Sequence, residues 1–179
     1  MMLLGPYLAA AGLLVVAGGQ KVRDPGDLAT AITRLTRRSP AVVRRLVRTG
    51  AAVEGAVGIT ALARPGPLTG AAVATSYASF AAYVAWRCVR GGPLATCGCF
   101  GAADAAPTWT HVALDLAFAV AAASVGASTG GWLPVQLAAQ PADGWPLLLA
   151  AATSAFLALG VLSTLARVEG ARRLYEGAA

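Results

Sequence analysis

Residues Pro67–Trp86 read PLTGAAVATSYASFAAYVAW, an uncharged run closed by Arg87 and Arg90. As an α-helix rising about 1.5 Å per residue, such a run spans about 30 Å, the hydrocarbon thickness of a bilayer. The rest of the chain has the same character. Hydrophobic residues make up 57% of its 179 positions, charged residues 12%, and mean hydropathy is +0.65. Soluble domains carry about 25% charged residues, so a soluble fold is excluded.

Outward from this run, Leu3–Gln20 is uncharged and ends at Lys21. Val42–Ala63 is apolar but interrupted by Arg44, Arg45, Arg48 and Glu54, which makes it the weakest span. Pro107–Gly130 contains only His111 and Asp115, and Trp145–Ala166 stops at Arg167. The expected fold is all-α: a single domain over residues 1–179, an integral membrane bundle of four to five transmembrane helices at about 3–21, 42–63, 67–87, 107–130 and 145–166. Abundant Ala and Gly suit close helix approach in lipid. The first segment lacks a basic leader and is expected as a mature helix.

Asp24-Pro25-Gly26-Asp27 marks a turn, with Asp27 expected as the N-cap of a helix starting at Leu28. Over residues 28–38, Leu28, Ala31, Ile32 and Leu35 recur at helical spacing and Arg34, Arg37 and Arg38 lie elsewhere on the wheel, predicting a short interfacial helix. Pro40 then starts the second spanning helix. Ser128–Gly144 is expected as a loop or shallow hairpin.

The net charge of +6 comes almost wholly from arginine. The arginines cluster, which points to membrane topology and lipid contact, with nucleic acid a poor second. Lys21, Arg23, Arg34, Arg37, Arg38, Arg44, Arg45 and Arg48 place the first loop in the cytoplasm. Five spans then give an outside N-terminus, a cytoplasmic C-terminus and a plasma-membrane protein. The same parity puts Cys97 and Cys99 at the cytoplasmic side, at or just below the membrane surface, although oxidising conditions lie outside.

Cys97-Gly98-Cys99-Phe100-Gly101 carries the clearest chemistry. A disulfide across one glycine closes a small strained ring and constrains almost no loop, so the pair behaves as an exchangeable couple and not as a staple. Arg87, Arg90 and the start of the next helix, expected at Pro107, favour thiolate at this loop. Cys88 is a candidate resolving thiol or a packing residue. Inside the spans, Glu54 and Lys21 reach one depth if their helices pack antiparallel, and His111 and Asp115 share a helix face. Each pair fits a proton-handling role or a packing contact equally well. A soft-metal reading takes Cys88, Cys97, Cys99 and His111 as a zinc or copper(I) set.

Lys21-Val22-Arg23-Asp24-Pro25 after a first helix, Glu54 in the second, the Cys-Gly-Cys-Phe-Gly element and Trp109 ahead of Asp115 resemble the MauE family of membrane proteins and their DoxX-like relatives, over Leu3 to Ala123. Leu114 departs from the Arg that many members carry there. The resemblance implies thiol–disulfide exchange in maturing exported proteins, similar in logic to DsbB and vitamin K epoxide reductase. Cys97 and Cys99 would be the redox pair, with Lys21 and Glu54 as polar positions inside the bundle. Methylamine metabolism itself does not follow from it. The expected function is exchange with a thioredoxin-like partner, coupled to a membrane quinone, a cofactor the resemblance alone implies. The alternatives are a non-catalytic scaffold subunit of a larger membrane complex and a copper- or zinc-handling membrane protein.

Overall fold

The computed structural model describes residues 4–90, 108–126 and 144–158, with isolated positions 133, 135, 160 and 164. All regular structure among them is α-helical: α1 Leu4–Arg23, α2 Gly26–Thr36, α3 Pro40–Ala63, α4 Pro67–Arg90 and α5 Trp109–Gly126, then α6 over Gly144–Ala158. Cys97 and Cys99, the expected start at Pro107 and the chain beyond residue 164 lie outside the described residues.

Two helices, Pro40–Ala63 and Pro67–Arg90, are long and apolar enough to cross a membrane. The first of these is the segment expected to be the weakest. Its arginines occupy the opening turns, and the rest runs unbroken to Ala63 with Glu54 as its one acidic residue. Only 22% and 28% of the two apolar stretches is buried, so these are not core helices of a soluble protein. Many of their outward positions are apolar, with Val53 59%, Ile59 60% and Leu68 87% exposed, and Val120 of α5 and Phe156 of α6 continue the pattern. An exterior of this kind matches lipid and not water.

The most buried helix is α1. Tyr7, Leu8, Ala10, Ala11 and Leu14 form the core with Ala61 of α3, Val73 and Tyr77 of α4, Ala122 and Val125 of α5 and Ala151 of α6. Glycine sets how closely α3 lies on α1. A Cβ added at Gly18 would stand 2.6 Å from the Ala51 carbonyl oxygen and 2.7 Å from the Gly55 nitrogen; one added at Gly58 would stand 2.6 Å from the Ala11 oxygen. Both positions therefore exclude any side chain, and the backbones meet directly.

Antiparallel pairing follows from the contacts. Tyr7, near the start of α1, has its hydroxyl 3.3 Å from the Ala61 carbonyl and 3.2 Å from Thr69 Oγ1, while Gly18, near its end, faces Ala51. Tyr77 donates to the Ala10 carbonyl at 2.9 Å, and its ring meets Phe118 of α5 at 5.2 Å. The end of α1, the start of α3, the end of α4 and the start of α5 thus share one end of the bundle. Ten of the fourteen basic residues of the sequence, Lys21 through Arg48 plus Arg87 and Arg90, belong to that end, and Arg64 lies at the other.

The amphipathic helix forms as Gly26–Thr36, docking Leu28, Ala29 and Ile32 on Val43 and Val47 of α3. Its start corrects the expected Asp27 cap. Residue 27 lies inside the helix, Pro25 is the N-cap without a side-chain bond, and Asp24 Oδ1 accepts from the Gly26 amide at 3.0 Å. Proline fixes the entry dihedral, and the carboxylate before it completes the turn.

Candidate functional site

Lys21 lies in the last turn of α1 and Glu54 near the middle of α3. Helical side chains lean toward their own N-terminus. In antiparallel neighbours the two therefore lean toward each other, Lys21 deeper into the bundle and Glu54 toward the basic end. They meet as a bidentate pair, Nζ donating to Oε2 at 2.9 Å and Oε1 at 3.1 Å, with side-chain exposures of 7% and 11%. The Phe80 ring of α4 covers the ammonium at 5.1 Å from its centroid. A lone carboxylate at this depth is expensive, and the ammonium beside it offsets part of that penalty.

This pair lines a cavity of about 640 Å³ between α3 and α4, with Leu28 and Ile32 of α2 at its edge. Its other walls are apolar residues of α3, with Ser76, Ser79, Phe80 and Tyr83 of α4. The serines donate to the carbonyls four residues back, Ser76 to Ala72 at 3.0 Å and Ser79 to Thr75 at 2.8 Å. Their oxygens keep lone pairs for an incoming donor.

A second polar group sits where α4 ends and α5 begins. Arg87 is 6% exposed, and the guanidinium carbons of Arg87 and Arg90 stand 5.7 and 5.9 Å from the Trp86 ring centroid. Cys88 packs beside Val84 and Val112, which binds the two helices together here. The fifth helix opens at Trp109. Thr108 precedes it as a capping residue, its Oγ1 3.4 Å from the His111 amide and 2.7 Å from His111 Nδ1. A threonine hydroxyl satisfies an orphan amide that proline could not. Asp115, one turn further, is half-buried.

Of the sequence candidates, the structure brings Lys21 and Glu54 into contact and sets Cys88 and His111 at one helix junction. Cys97 and Cys99, the pair expected to exchange, lie outside the described residues. Among those described, no three His, Cys, Asp or Glu side chains gather as metal ligands; two of the four proposed for zinc or copper(I) are Cys97 and Cys99. Sequence reasoning missed Phe80 and the two serines, although Ser76, Ser79 and Tyr83 recur at the spacing of one helix face. Thr108 was legible as a hydroxyl residue just ahead of an apolar run.

A helical bundle with apolar residues exposed along its helices, basic residues gathered at one end and a buried ion pair beside a cavity defines a small all-helical membrane protein. The chain belongs to the MauE family: the family described as methylamine utilisation protein MauE matches residues 1–129. No curated protein and no solved structure matches the chain.

Proposed function

We propose that this protein is a membrane thiol–disulfide redox protein of four to five spans, with Cys97 and Cys99 as its exchanging pair. The observation that carries this reading is the setting of the Cys-Gly-Cys sequence. It lies in the stretch joining the Arg87–Arg90 end of α4 to the Thr108-capped start of α5. Guanidinium groups at one flank and a helix N-terminus at the other favour thiolate over thiol. Cys88, close to the end of α4, is the candidate resolving thiol, and His111 with Asp115 the candidate proton carriers.

In the direction of disulfide formation, a thiolate of a thioredoxin-like partner attacks the Cys97–Cys99 disulfide. The mixed disulfide is resolved by the partner's second thiol, leaving the partner oxidised and Cys97 and Cys99 as thiols. Re-closing the pair releases two electrons and two protons, for which a lipid-soluble quinone, when bound, would supply the two-electron acceptor. By the positive-inside rule the basic end faces the cytoplasm of the plasma membrane, with the N-terminus outside. A place in methylamine utilisation rests on the family's name.

Equilibrating purified protein in glutathione buffers and counting alkylated thiols tests the reading. The expected result is a reversible two-electron couple with a potential above about −300 mV, the upper bound for structural disulfides. A pair that stays reduced in oxidising buffer refutes it.

A further inference from the structure

We infer that the cavity between α3 and α4 is a lateral binding site for an uncharged, hydroxyl-bearing ring on an apolar tail, drawn from the bilayer. The volume, about 640 Å³, lies inside the range of about 300–1,000 Å³ typical of small-molecule sites. Val53 of α3 and Ser79 of α4 line it and are both exposed, so the cavity is open between the two helices at a face suited to lipid. A ligand can enter without crossing water.

Charge selects the head. Lys21 and Glu54 neutralise each other with two hydrogen bonds, and Phe80 covers the ammonium. A carboxylate or phosphate ligand would have to draw Lys21 away and strand Glu54 as a lone anion in hydrocarbon, which is costly. A neutral head leaves the pair intact. It finds acceptor oxygens at Ser76, Ser79 and Glu54, and aromatic faces at Phe80 and Tyr83 for a flat ring to stack on. The apolar α3 wall suits a hydrocarbon tail leaving toward lipid.

Gly50 supplies the test. It lines the cavity, and a Cβ there meets nothing within 4 Å, so Gly50→Phe fills the space without forcing the backbone; Ser79→Phe fills it from the opposite wall. Binding of a decyl-substituted hydroquinone, kept reduced, to the full chain in detergent would be measured by calorimetry, beside monoolein and oleate. Saturable binding of the hydroquinone, weakened about tenfold or more in both variants while they keep wild-type helix content, supports the site. Absence of saturable binding, binding untouched by both fillings, or equal binding of monoolein or oleate overturns it. The inference stands on the cavity and not on the cysteines: a Cys97→Ser, Cys99→Ser variant is expected to bind as the wild type does. Loss of thiol exchange with binding retained therefore refutes the redox reading alone.

Discussion

Gly18 of α1 faces the Ala51 carbonyl of α3 so closely that a methyl group between them would stand 2.6 Å from the oxygen. This contact holds the two helices at backbone distance and, one turn further along α1, delivers Lys21 to Glu54. Gly18→Ala and Gly58→Ala are each expected to destabilise the protein by about 1–3 kcal/mol, the usual range for overpacking. Gly12→Ala, where a Cβ meets nothing within 4 Å, is expected to be neutral or stabilising. Unfolding midpoints in detergent, by circular dichroism, check the contrast; equal effects at Gly12 and Gly18 would remove the seam as the cause.

The Lys21–Glu54 pair predicts strong coupling. Lys21→Met or Glu54→Leu alone strands the other charge and is expected to cost about 3–5 kcal/mol. The double variant, which strands nothing, is expected to be more stable than either single one. A double-mutant cycle on unfolding free energies measures this, and additive effects would show that the two residues do not depend on each other.

Arg37 closes α2 in a left-handed conformation, φ 52° and ψ 22°, a region costing roughly 1–2 kcal/mol for a residue with a side chain. Arg37→Gly relieves that strain but frees the unfolded chain. The net expectation is a gain of about 0.5–1 kcal/mol. A drop in thermal midpoint would mean that the arginine makes contacts outweighing its strain.

Sidedness is the fourth expectation. With the basic end inward, a membrane-impermeant maleimide added to intact cells is expected to leave Cys99 unlabelled in a variant lacking Cys88 and Cys97, and to label it after permeabilisation. Ready labelling of intact cells would reverse the orientation.

The sequence carried the helices well where charge or proline punctuates them. Pro40 and Pro67 open α3 and α4, Arg23 and Arg90 close α1 and α4, and antiparallel packing followed by the leaning of helical side chains was enough to pair Lys21 with Glu54. The start of α2 was misread because Asp24 and Asp27 are equally good caps on composition, and only the Pro25 dihedral decides between them. The cavity was not legible at all. It exists because glycine draws α3 onto α1 while α4 packs mainly on α5, leaving α3 and α4 apart, and no local pattern reports a space between distant segments.

The depth of the two paired charges also orders how the chain is made. Synthesised before α3, α1 carries its lysine near its trailing end, where a long aliphatic stem lets the ammonium rest among headgroups. Glu54, in mid-helix on a short stem, has no such refuge. The third helix therefore needs α1 beside it wherever Glu54 lies in hydrocarbon, and the glycine seam is what lets α1 come close enough to supply the partner charge.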